Sequence, residues 1–204
     1  YVWESVLSQE GFGEWAIHYD GSIHGNRNPN ARKGFDLALE VVTPILSGEA
    51  GLSSIKAYLN FAVTKLGGYV NDSCGGHVHI GAADLLNGTQ KQVANRFIVG
   101  LLTAHNFAPL LRALVPEERR FTTWAGKVNV DPASAEEHLS SVSQEQSNKH
   151  HVYDLVDIFA GDRYKMINFI PLKDKKTIEF RIFDGSLNYQ KIENENGPDT
   201  YKTT

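Results

Sequence analysis

Cys74-Gly75-Gly76-His77-Val78-His79-Ile80-Gly81 and, further along the chain, Thr177-Ile178-Glu179-Phe180-Arg181-Ile182-Phe183-Asp184 both carry ionisable residues at alternate positions. Side chains alternate between the faces of an extended strand, so His77 and His79 share one face and Val78 and Ile80 the other. In the second segment Glu179 and Arg181 share a face, and Ile178, Phe180 and Ile182 lie opposite. Two strands that each give one face to ionisable groups and the other to a core predict a sheet with a reactive surface.

Working outward, Leu52, Ile55, Tyr58, Leu59, Ala62, Val63 and Leu66 recur at three- and four-residue spacing, which predicts an amphipathic helix over 52–65 closed by Gly67-Gly68. A more apolar helix is expected over 91–114, ending at Pro116. Residues 35–42 read as a strand stopped by Pro44, and 15–19 as a strand running into the turn Asp20-Gly21-Ser22, preceded by a short helix over 2–9. Residues 164–171 and 176–183 read as antiparallel strands joined by Lys173-Asp174-Lys175, with a helix over 150–159 before them. The breaker-rich segment 24–34 reads as an exposed loop, 127–149 as a mobile insertion whose polar part is either a surface helix or disordered, and 193–204 as a frayed polar tail. Strands and helices interleave without a βαβ rhythm, so an α+β fold with a largely antiparallel sheet is expected, in one domain spanning 1–204.

The bulk composition removes several classes. A chain of 204 residues, 41% hydrophobic and 22% charged, is ordinary for a globular domain, and its net charge of -4 offers no basic footprint for nucleic acid. The single cysteine, Cys74, cannot form an internal disulfide, and no apolar run approaches the roughly 20 residues that span a bilayer. A cytoplasmic location without a membrane partner is the expectation. Walker-type loops, dinucleotide-binding glycine motifs, nucleophile elbows and Cys-x-x-Cys pairs are all missing from the sequence.

His77 and His79 lead the candidate residues, because two imidazoles about 7 Å apart on one strand face reach one metal ion or one phosphate. A hydrogen-bonded structural pair is the competing reading. Glu40 lies in the apolar run Ala38-Leu39-Glu40-Val41-Val42, where a core-facing charge costs several kcal/mol unless paired, whereas on an edge strand it would simply point into water. Glu179 poses the same question, and Arg181 two positions on offers a structural ion pair as its answer. Arg119 and Arg120 could clamp a phosphate or carboxylate, or be solvated charges at a helix end. Cys74 is a weak candidate nucleophile with His77 as base, while Lys165 and Asn168 are polar positions of undetermined facing.

In chain order these motifs are Trp15-Ala16-Ile17 with Asp20-Gly21-Ser22, Leu39-Glu40-Val41-Val42-Thr43-Pro44, Asn71 with Cys74 to His79, Arg119-Arg120, Tyr164 to Asn168, and Thr177 to Arg181. That order resembles the amidoligase family of the carboxylate–amine ligase superfamily, which also holds glutamine synthetase and the glutamate–cysteine ligases. The resemblance implies a glutamine-synthetase-like antiparallel sheet, helices packed behind it, and a concave face holding ATP and Mg²⁺, with Mn²⁺ as a substitute. It implies phosphorylation of a carboxylate followed by amine attack on the acyl phosphate, with small-molecule or peptide carboxylates and amines as partners. Glu40, His77 and Glu179 would form the metal–phosphate site, joined by His79. Arg181, Arg119 and Arg120 would contact phosphate or a substrate carboxylate, and Asp20 would position the amine. The family's opening Gly-x-Glu-x-Glu strand has no counterpart before Trp15. It is expected upstream or from another chain, or else the chain is a non-catalytic binding relative. A sheet lacking an edge strand also allows a homo-oligomer. A Zn²⁺-dependent hydrolase built on His77, His79 and a carboxylate is the alternative activity.

Overall fold

The computed structural model describes residues 2–23, 37–128, 130–141 and 149–196. The loop expected over 24–34 lies outside the described residues, as do the middle of the 127–149 insertion and the end of the tail. The chain forms two compact units, one made of Tyr1–Cys74 with Gly185–Thr204 and the other of Gly75–Asp184. The α+β class holds, and every strand ladder is antiparallel.

In the first unit, helix α1 (Val2–Gln9) precedes strand β1 (Ala16–Tyr19), which pairs with β2 (Leu39–Val42), and helix α2 (Gly48–Thr64) follows. Its core is aromatic: Trp15 stacks on Tyr58 at 4.3 Å between ring centroids, Phe12 meets Tyr58 edge-on at 5.3 Å, and Leu7, Phe61 and Ala62 are buried around them. The predicted period of α2 is thus borne out on its buried face. Helix α2 begins earlier than expected because Gly48, at φ 56, turns the chain into it after Ser47. The tail is helical as far as the structure describes it: Asn188 Oδ1 accepts from the amides of Gln190 and Lys191, and α3 to α5 below are followed by this last helix, α6 (Tyr189–Asn196).

In the second unit, β3 (Gly75–Gly81), β4 (Ile167–Asn168) and β5 (Thr177–Asp184) form a three-stranded sheet in the order β3-β5-β4. Helix α3 (Gln90–Ala113) starts at a capping box in which the Thr89 hydroxyl accepts from the Gln92 amide and Gln92 bonds back to the Thr89 amide. It packs against α4 (Pro132–Ser141) and α5 (Lys149–Ala160). Ile182 and the flanks of Ile178 and Phe180 join Phe97, Leu101, Leu155 and Phe169 in one cluster, so β5 does turn its apolar face to the helices.

Two expectations change. The strand predicted over 164–171 shrinks to β4, because Asn168 Oδ1 accepts from the Ile170 amide and Pro171 follows, turning the chain into a short 3₁₀ segment. Strand β3 lies at the edge of its sheet, so Val78 is only half-buried and Ile80 is 50% exposed rather than core. In the part of the 127–149 region that is described, 132–141 is helical.

Candidate active site

The register of the second sheet brings the two motifs together. His79 lies directly opposite Glu179, and between Gly76 and Val78 the ladder slips. One residue of β3, His77, there faces two of β5, Arg181 and Ile182. Alternation along β5 already places Arg181 on the face of Glu179 and the histidines, and the bulge shifts the residues that follow it.

Glu179 is the centre of the resulting cluster. Its Oε1 accepts from Arg181 Nη1 at 2.7 Å and its Oε2 from Asn168 Nδ2 at 2.6 Å. His77 Nδ1 stands 3.3 Å and His79 Nε2 3.7 Å from Oε1, so the two imidazoles present opposite ring nitrogens to one carboxylate oxygen. Glu179 and Arg181 are 5% and 7% exposed, which makes the structural ion pair weighed from the sequence real. The same pair also belongs to the histidine face, so the two readings of Glu179 are not exclusive.

Arg119 joins from a 3₁₀ turn over Glu117–Arg119, where it is buried and donates from Nε to the Phe183 carbonyl at 3.1 Å. A Cβ on Gly75 would fall 2.7 Å from Arg119 Nη2 and 3.3 Å from His77 Nε2, so a side chain there would displace the ends of both groups from their present positions. Arg120 goes elsewhere: its Nε donates to the Val115 carbonyl, which ties down the end of the α3 region. Asn168 was only a polar position of undetermined facing in the sequence, and its place in the site follows from pairing opposite Glu179.

Glu40 and Asp20 lie in the other unit. Glu40 is exposed on β2, so core burial does not force a partner on it as the apolar run suggested. Asp20 Oδ1 accepts from the Ser22 amide at 2.9 Å and its hydroxyl at 2.7 Å, an Asx turn that closes the chain after β1. Cys74 Sγ faces Asn71 Oδ1 at 3.7 Å, and Lys165 pairs with Asp162 at 3.1 Å.

The donor set does not fit a divalent cation at this cluster. Both oxygens of Glu179 already accept from N–H donors, and the Arg181 guanidinium at 2.7 Å opposes a second cation there. Among the described residues no group of three or more His, Cys, Asp or Glu is arranged to hold a metal ion. The guanidiniums of Arg181 and Arg119 flank the neutral imidazoles and the Glu179 carboxylate, with Lys175 and Asp174 acting on His79 as well, and guanidinium N–H groups are suited to an anion.

Burial pushes His77 down to about 4, reinforced by Arg181, Arg119 and His79 and opposed by Glu179. His79 is lowered as well, chiefly by burial. For Glu179 burial acts upward, but the Asn168 hydrogen bond, Arg181 and the two histidines outweigh it and hold the carboxyl below its usual range. The unfolded chain therefore protonates His77 below about 6.5 while the folded chain does not until about 4. The unfolded state binds the extra proton, so stability rises with pH across that interval and is lost on acidification. Depression of Glu179 has the same sign, its contribution being lost as pH falls through its lowered folded value. Urea unfolding from pH 4.5 to 7.5 is expected to show this slope, and His77→Asn to flatten it. Equal slopes in both proteins would contradict the assignment.

No helix among the described residues is long and apolar enough to cross a membrane. In comparison with known proteins, a family model described as "Putative amidoligase enzyme" matches residues 2–196. No curated protein and no solved structure matches the chain.

Proposed function

The chain belongs to the amidoligase family, a family of amide-bond-forming ligases by its description, and from that premise we propose that it joins a carboxylate to an amine at the expense of ATP. A substrate carboxylate oxygen attacks the γ-phosphorus, ADP leaves, and the amine then attacks the acyl carbon and expels phosphate. The observation that carries this reading is the positive cluster on β3 and β5, with Arg181 and Arg119 buried beside neutral His77 and His79 around one carboxylate. Preorganised N–H donors in a partly dry site stabilise the charge that builds on the transferring phosphoryl oxygens, and they need no reorganisation at the moment of reaction. Glu179 holds the donors in place through its 2.7 Å bond from Arg181 Nη1 and its 2.6 Å bond from Asn168 Nδ2.

Magnesium, or manganese in its place, is proposed only as the companion of the nucleotide phosphates, and Glu179 is given no part in holding it. The substrates are a small-molecule or peptide carboxylate and an amine.

Calorimetric titration with a non-hydrolysable ATP analogue, with and without Mg²⁺, tests the reading. One nucleotide is expected to bind per chain, and Arg119→Gln, checked for folding by circular dichroism, is expected to weaken binding about tenfold for the loss of one charge-assisted contact. A folded chain that binds no nucleotide under either condition would refute the proposal.

A further inference from the structure

Thr177, the first residue of the β5 motif, touches the one ring nitrogen of His79 that does not face Glu179. Its Oγ1 lies 3.0 Å from His79 Nδ1, while His79 Nε2 looks toward Glu179 Oε1. At 3.7 Å the Glu179 carboxylate is too far for a direct hydrogen bond, but its negative charge on the Nε2 side favours the proton there and leaves Nδ1 as the acceptor. The Thr177 hydroxyl is the donor that this tautomer requires.

The backbone around Thr177 is held for that purpose. Lys176 is the one described residue other than glycine with positive φ, at 57°, a conformation that side-chain-bearing residues adopt at a cost. Its Nζ donates to Tyr153 Oη at 2.7 Å and to the Lys173 carbonyl at 2.5 Å, and its own carbonyl accepts from the Ala82 amide at 2.8 Å. These bonds lock the turn that delivers Thr177 into register opposite Gly81, diagonal to His79.

We propose that Thr177 is a positioning residue of the site: its hydroxyl holds His79 in the Nε2–H tautomer, with that N–H on the face shared by His77 and Glu179. The inference rests on the ligase reading for its consequence, since that face is the one assigned to the phosphoryl oxygens. His79 then serves as a hydrogen-bond donor to them.

Two readouts separate the claims. Long-range ¹H–¹⁵N spectra of the full chain, with His79 assigned by His79→Gln, are expected to show Nε2 protonated and Nδ1 unprotonated. Thr177→Val should shift His79 toward a mixture of tautomers, and Thr177→Ser should restore the original pattern. In a ligase assay Thr177→Val should lower kcat about tenfold with the KM for ATP within about twofold, again rescued by Ser, the range typical of a lost orienting hydrogen bond. A wild-type spectrum with Nδ1 protonated, a Thr177→Val spectrum identical to wild type, or altered tautomers with unchanged kcat would each overturn the proposal. If the wild-type chain turns over no ATP while the spectra change as expected, the positioning role stands and the ligase reading falls.

Discussion

Glu179→Gln is expected to lower the midpoint of thermal unfolding by about 10 °C and, measured on folded protein at low temperature, to cut ATP-dependent amide formation a hundredfold or more. The amide is close to isosteric, yet it cannot replace the carboxylate here. If its oxygen takes the Arg181 Nη1 contact at 2.7 Å, its NH₂ group faces the NH₂ of Asn168 at the present 2.6 Å, donor against donor. The buried guanidinium also loses its counter-charge. Breaking a buried ion pair from one side costs about 3 kcal/mol or more, and for a chain of this size each kcal/mol moves the midpoint by about 2–4 °C. The sequence alone allowed a different outcome, in which activity is lost and stability is nearly intact. Burial of both partners removes that simple alternative. A double replacement, Glu179→Leu with Arg181→Met, distinguishes the roles: apolar side chains in place of a buried pair restore stability, whereas activity should stay lost. Recovery of activity along with stability would show that the cluster is structural only.

Phe97→Ala is expected to cost about 4 kcal/mol, the largest effect of any single truncation in the second unit. Phe97 is fully buried on α3 and meets Phe169 edge-on at 5.5 Å and 83°. The change removes apolar surface, leaves a cavity that the surrounding helices fill only in part, and loses the aromatic pair. Its effect extends to chemistry, because Phe169 adjoins Asn168, whose amide holds Glu179 Oε2. A loosened Phe169 should therefore reduce kcat even where the protein remains folded. Phe97→Leu keeps most of the volume, and a loss near 1 kcal/mol with activity retained is the expected contrast in urea unfolding and turnover. Equal losses for Ala and Leu would mean that packing at this position is not what supports the site.

The alternation of β3 and β5 was legible because period-two patterning needs no tertiary information. It gave the shared face of His77 and His79 and the apolar face of β5, and the structure keeps both. Helices over 52–65 and 91–114 were legible from apolar spacing and breakers, and the structure starts the first earlier, at Gly48, and the second at Gln90 after the Thr89 capping box. The role of Arg119 against Arg120 was not, since adjacent arginines look alike until one guanidinium meets a main-chain carbonyl from β5 and the other a carbonyl from its own turn. Asn168 and Thr177 were hidden because a polar residue near a strand end has many uses, and pairing with a distant strand selects one.

What the sequence determined by itself was local: strand faces, helix spans, the family's order of motifs and the absence of other nucleotide-binding devices, all set by the side chains of near neighbours. Tertiary structure alone decided that Glu179 lies buried among Arg181, Asn168, His77 and His79, and that His79 pairs directly opposite it. Strand register is the physical reason. It is chosen by the whole apolar face of β5 packing on the helices, and one residue of slip would send every charge on that strand to the opposite side.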